Sequence, residues 1–234
     1  MSTVFSPAEE ALYYKTVETL QQRLGAVREP EAVLGCIRQA FDGFERAYAS
    51  APAAVRAKVA CHAGCSACCH ERVAVQAHEV LIVADHVQRH YPAEALEALV
   101  ARAAAHRQAH AGRGTPGWTS PRTPCVLLQD GRCSVYEARP GICRAHHSSS
   151  VDGCKANLAA GNEDVNVKIP GLRGRMFAVM LGIDGAVESA GYDEEAYDFG
   201  SALHEALTNS LCAFRWSQGK PAFPVDCREA PAET

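Results

Sequence analysis

Apolar residues recur along most of this chain at helical spacing, three and four positions apart. Tyr13, Val17, Leu20 and Leu24 share one face of a helix predicted from about Pro7 to Leu24. Ser6 can cap it, Pro7 suits its first position, and Glu9 stands where a capping box needs an acid. A second stripe, Val33, Leu34, Ile37, Phe41, Phe44 and Tyr48, predicts a helix from about Pro30 to about Ala49. Two amphipathic helices on a short link suggest an antiparallel hairpin. Val80, Leu81, Ala84 and Val87 mark a third helix ending near Tyr91-Pro92, and Leu96, Leu99, Val100 and Ala103 a fourth from Ala93 to about Ala111.

The periodicity then stops. Residues 112–124 hold three Gly and three Pro and predict an extended loop. Next come two short apolar runs, 125–128 and 133–136, separated by Asp130-Gly131, the signature of a β-hairpin. Residues 145–170 are rich in Ser, Gly and Asn and predict irregular chain, with a short helix over 172–181. A last stripe, Phe199, Leu203, Leu207, Leu211 and Phe214, predicts one helix from about Glu194 to Trp216. The proline-rich tail from Lys220 is expected to be loose.

Composition narrows the function classes. The chain has 234 residues and a net charge of -4, and its basic residues form no run, so nothing favours nucleic acid. The N-terminus lacks the basic start and apolar core of a signal peptide. No apolar stretch approaches the roughly 18 to 20 residues that span a bilayer. A cytoplasmic protein without membrane contact is therefore expected, in a compartment that keeps thiols reduced. There, eleven cysteines favour metal binding or redox catalysis over disulfides.

Four of them crowd into nine residues: Cys61, Cys65, Cys68 and Cys69. Cys65 and Cys68 have the two-residue spacing that grips one metal from a tight turn, and Gly64 lets the backbone bend. Were the segment helical, all four would share one face. Adjacent Cys68 and Cys69 suit one tetrahedral ion poorly, so one of them points to a second metal, a bridging position or a neighbouring sulfide. Cys125, Cys133, Cys143 and Cys154 follow with seven, nine and ten residues between them, unlike the paired knuckles of a zinc ribbon. Arg139 and Arg144 lie beside these thiols, where guanidinium groups would offset thiolate charge or make ordinary surface pairs. Cys36 and Cys212 fit core positions of helices, and Cys227, in the tail, is expected to be incidental.

Two blocks carry a family resemblance. Cys61-x3-Cys65-x2-Cys68-Cys69, then Pro124-Cys125-Val126-Leu127-Leu128 and Gly131-x-Cys133-Ser134-Val135-Tyr136-Glu137-x-Arg139-Pro140-x-x-Cys143-Arg144, resemble the CxxCxxCC, or YkgJ-type, cysteine-cluster family. That family is described as a zinc- or iron-chelating domain with eight cysteines. The resemblance covers about residues 61 to 154, with Cys154 in the eighth position by count and a first spacing one residue longer than the family name implies. It also links the domain to flagellin lysine N-methylases, an iron–sulfur cluster and S-adenosylmethionine.

The expected fold class is mostly α: a helical domain packed around an irregular cysteine-rich metal centre with a short β-hairpin. It divides into an N-terminal helical hairpin (1–58), a cysteine-cluster core (59–156) and C-terminal helices packing on the same domain (157–234). The expected ligands are Cys61, Cys65, Cys68, Cys69, Cys125, Cys133, Cys143 and Cys154, with Arg139 and Arg144 around them. Iron, as an iron–sulfur cluster, is favoured over zinc. The rivals are a structural zinc domain for partner binding, a methyl-transferring or redox enzyme, and metal storage or delivery. His62, His70, His146 and His147 stand close enough in sequence to replace a thiol, while His78, His86, His90, His106, His110 and His204 are expected to face solvent. Glu79 is read as a first-turn acid favoured by the helix dipole, or as a base aimed at the site.

Overall fold

A computed structural model describes residues 5–27, 29–110 and 122–228. It confirms a mostly helical chain around a cysteine-rich centre. Helix α1 (Pro7–Leu24) opens with the capping box: the Ser6 N–H and hydroxyl both donate to the Glu9 carboxylate, at 2.7 and 2.8 Å. The second stripe is split. Helix α2 (Pro30–Ala40) and helix α3 (Asp42–Ser50) meet at Phe41, and a short α4 (Ala53–Arg56) follows. Strand β1 (Ala74–Gln76) leads into α5 (Ala77–His90), and α6 (Ala93–His110) follows. Most of the proline- and glycine-rich loop, residues 111–121, lies outside the described residues.

The Asp-Gly hairpin forms as expected. Strands β2 (Leu128–Gln129) and β3 (Arg132–Cys133) pair antiparallel, and Asp130 and Gly131 take positive φ at the turn. Helix α7 (Gly141–Ala145) comes next. Three expectations downstream need correction. The segment 145–170 contains a helix, α8 (Val151–Ala160), capped by Ser150. The short helix is long, α9 (Pro170–Ser189), because its glycines are contact points rather than breaks. A Cβ on Gly182 would stand 2.8 Å from the Thr16 side chain and 2.9 Å from the Tyr13 carbonyl, so α1 lies directly on α9. The last helix is three elements: strand β4 (Ala196–Asp198), α10 (Phe199–Thr208) and α11 (Cys212–Ser217).

Strand β4 pairs with β1 across 120 residues of sequence, and Asp198 locks the junction. Its carboxylate caps α10 through the Ser201 N–H (2.9 Å) and hydroxyl (2.7 Å), and accepts from His106 (2.9 Å) and Arg72 (3.0 Å). Burial would raise its pKa, but the His106 and Ser201 bonds hold it well below the usual carboxylate range. The tail is not loose up to its last described residue: Ala222, Phe223 and Cys227 are buried in the main core, so Cys227 is a packing residue. His78 is likewise buried at 0 % exposure instead of facing solvent, and His110 is buried too. Among the described residues, no helix is long and apolar enough to cross a membrane.

Candidate metal centre

The cysteines are carried by short pieces of chain with little regular structure of their own. After α4 the backbone turns through Cys61–Cys65, with Gly64 at φ 87° and the Cys65 N–H donating to the His62 carbonyl at 3.0 Å. The turn is pinned from outside, since the Ala60 N–H donates to the Ser148 carbonyl at 2.8 Å. A single 3-10 turn, Ala67–His70, then presents Cys68 and Cys69. On one side of it packs α8, which carries Cys154. On the other, the Cys125 N–H donates to the Cys69 carbonyl at 2.7 Å, Cys133 pairs across the hairpin with Leu128, and Cys143 sits in α7.

Ser148, not anticipated from the sequence, joins two of the thiols. Its N–H donates to Cys61 Sγ at 3.2 Å, and the Cys154 thiol donates to its hydroxyl at 3.0 Å. Burial raises the Cys61 pKa, the Ser148 N–H opposes it, and negative charge on Cys65 or Cys154 would raise it further. The remaining thiols form a second neighbourhood. Burial pushes Cys125 up to about 12, with Cys133 and Cys69 adding to it. Cys143 is raised well above its ordinary value by burial and then by Cys125, Cys133 and Cys69. Cys133 is raised by burial, eased by the Val135 N–H and by Arg139. Between the two groups, Cys68 and Cys69 share a hydrogen bond that drives the Cys68 pKa up and the Cys69 pKa down.

All eight expected cysteines therefore surround one 3-10 turn, at partly exposed positions except for the exposed Cys61. Their chemistry fits a soft metal: thiolates suit zinc and iron–sulfur centres, and coordination removes the proton that burial otherwise retains. Among the described residues, no three Cys, His, Asp or Glu side chains stand close enough, as placed, to hold one ion.

The residues expected around the thiols behave unequally. Arg139 lies over the Tyr136 ring at 3.7 Å and eases the charge at Cys133. Arg144 is buried, donates to the carbonyls of Arg139 (2.9 Å) and Glu137, and faces the Phe41 ring at 5.3 Å. Glu79 is a first-turn acid that does more than follow the helix dipole. Its carboxylate accepts from the Gln76 N–H at 3.1 Å, completing a capping box, and from the Gly141 N–H at 2.6 Å, so α5 holds the start of α7 two residues before Cys143. Only the acid itself was visible in the sequence. His62 and His70 bond carbonyls of their own loop, of Ala63 (2.9 Å) and Ser66 (3.0 Å), while burial lowers the pKa of His146 and His147. A cleft of about 430 Å³ beside α7 is lined by Arg38, Asp42, Glu45, His86, Glu137 and Arg144, and by none of the cysteines.

Residues 60–166 match the family model CxxCxxCC, described as a "putative zinc- or iron-chelating domain", and that span includes all eight cysteines. No curated protein and no solved structure matches the chain.

Proposed function

With a CxxCxxCC domain over residues 60–166 as the premise, we propose that this is a metal-binding protein whose eight clustered cysteines hold iron, as an iron–sulfur centre, in preference to zinc. The observation that carries the reading is the convergence of eight thiols, drawn from a loop, a 3-10 turn, a hairpin and two helices, on one small region. The spacing of those thiols supports iron. Cys125, Cys133, Cys143 and Cys154 lack the paired knuckles of a zinc ribbon, and adjacent Cys68 and Cys69 suit a sulfide-containing centre better than one tetrahedral ion. A purely structural zinc role is the second reading, favoured by the irregular chain that carries Cys61 and Cys65, which a metal would staple. A catalytic role related to the flagellin lysine N-methylases needs a substrate space at the thiols, and the cleft beside α7 contains none of them.

Anaerobic purification with analysis of iron, zinc and acid-labile sulfide tests the proposal. Brown protein with iron and sulfide in equal amounts is the expected result. A colourless protein saturated with zinc overturns the choice of iron, and one that takes neither metal overturns the metal-binding reading.

A further inference from the structure

The eight thiols are not one uniform set. On one side of the 3-10 turn, Ser148 bonds both Cys61 and Cys154, the Ala60 bond to Ser148 closes the Cys61–Cys65 turn onto the same segment, and α8 packs on the 3-10 turn itself. On the other side, the Cys125–Cys69 backbone bond, the β2–β3 register and the Glu79 tie to α7 gather Cys69, Cys125, Cys133 and Cys143. With three residues per turn, consecutive side chains leave the axis about 120° apart, and the Cys68 and Cys69 sulfurs still meet in a hydrogen bond, so the pair stands at the seam. Cys69 faces Cys125, Cys133 and Cys143, and Cys68 lies within the electrostatic reach of both Cys61 and Cys143.

We infer that the eight thiols make two four-sulfur sites that fill independently, Cys61/Cys65/Cys68/Cys154 and Cys69/Cys125/Cys133/Cys143, and that the first is the exchangeable one. The inference rests on the metal-binding reading above and adds the number of sites and the difference between them. Four thiolates are a complete ligand set for one zinc ion or one iron–sulfur cluster. The solvent access of the two sites differs. Cys61 is exposed, and Gly64 beside it turns in open space. Cys125 and Cys133 pack against the main hydrophobic core, and Cys143 follows the buried Gly141 in α7, between buried Arg144 and partly buried Ile142. A shell that excludes water and chelator slows ligand exchange. The same turn supplies one thiol to each site, which sets the two sites side by side.

The test uses the full chain, reduced, stripped of metal and loaded with zinc alone. Two zinc ions per chain are expected, and a coloured chelator should remove half of the zinc in a fast phase and half in a slow one. Cys154→Ser and Cys61→Ser should each lose one zinc and the fast phase. Cys133→Ser should lose one zinc and the slow phase. Cys36→Ser, outside both sets, should keep two. Far-UV circular dichroism follows folding, and if Cys133→Ser unfolds, retention of the slow phase in the two outer variants decides the matter. A single zinc per chain, one release phase, or loss of all zinc from Cys154→Ser and Cys61→Ser overturns the division. A wild-type chain that binds neither zinc nor iron overturns the metal-binding reading instead.

Discussion

Replacing Glu79 tests whether the helical frame positions the inner thiols. The carboxylate is 5 % exposed and satisfies two backbone donors, the Gln76 and Gly141 N–H groups. In Glu79→Ala the capping interaction is lost, which costs about 1 kcal/mol. The Gly141 N–H is left buried without an acceptor, which adds about 1–3 kcal/mol. Against this stands relief of a buried acid whose pKa burial raises and whose charge opposes Asp184. The net expectation is a loss of roughly 2–3 kcal/mol, near 1 M in the urea midpoint at a slope of about 3 kcal/mol/M. Glu79→Gln keeps one acceptor oxygen and the side-chain volume, so it should lose about half as much. Gly141 sits in close quarters: a Cβ there would stand 3.0 Å from Met180 and 3.1 Å from Phe44. Urea unfolding followed by far-UV circular dichroism, at fixed metal loading because bound metal shifts apparent stability, gives the measurement. Loss of less than about 0.5 kcal/mol in the alanine variant would refute the reasoning, since so small a figure means neither donor depends on the acid.

Three further outcomes are expected. Burial lowers the His78 pKa to about 3, so the folded chain resists a proton that the unfolded chain accepts near pH 6.5; stability is full above that value and falls as pH drops from 6.5 toward 3. The whole window is worth at most about 5 kcal/mol, and His78→Leu should flatten the decline in urea midpoint between pH 7 and pH 5. Gly182→Ala should cost about 1–3 kcal/mol by overpacking against Thr16 and the Tyr13 carbonyl, whereas Gly185→Ala, which meets only the Tyr13 hydroxyl end at 3.1 Å, should be mild; thermal unfolding of the pair reads the contrast. Asp198→Ala strips a buried carboxylate from Arg72 and His106 and should cost about 3–5 kcal/mol, and a double variant with His106→Ala that proves additive would contradict the shared network.

Hydrophobic periodicity reports which face of a segment is buried, and for that reason it located α1, α2, α5 and α6 but not the breaks between helices. At Phe41 the stripe continues through the break: Phe41 and Phe44 are both buried, and the Phe41 N–H still reaches back to Ile37 at 3.2 Å. Asp42-Gly43 follows the break directly, but Gly43 lies inside α3, against Val179, so the dipeptide does not end the stripe. Glycines misled in the opposite direction. In α9 they admit α1, and in α8 Gly153 leaves room for Val167, which a Cβ would approach to 2.6 Å. Both are tertiary reasons, invisible to a window of sequence. The burial of His78 and Cys227 belongs to the same class.

The cysteines show the limit most clearly, because their spacing carried the existence of a cluster and not its internal division. Ligand spacing is informative when one local turn supplies a pair, as with Cys65 and Cys68. Cys125, Cys133, Cys143 and Cys154 each arrive on a different piece of chain, so separations of seven to ten residues constrain nothing. What assigns them is the contact each piece makes: Cys154 through Ser148, Cys125 through the Cys69 carbonyl, Cys143 through the Glu79 tie to Gly141. The one exception is the adjacent pair. Consecutive residues of a 3-10 turn leave its axis about 120° apart, yet the Cys68 and Cys69 sulfurs meet in a hydrogen bond, so the pair stands where the two groups of thiols join. Cys68-Cys69 was thus the place where the sequence alone pointed beyond one tetrahedral ion, to a second metal, a bridging position or a neighbouring sulfide, and the turn that holds the pair touches both groups of thiols.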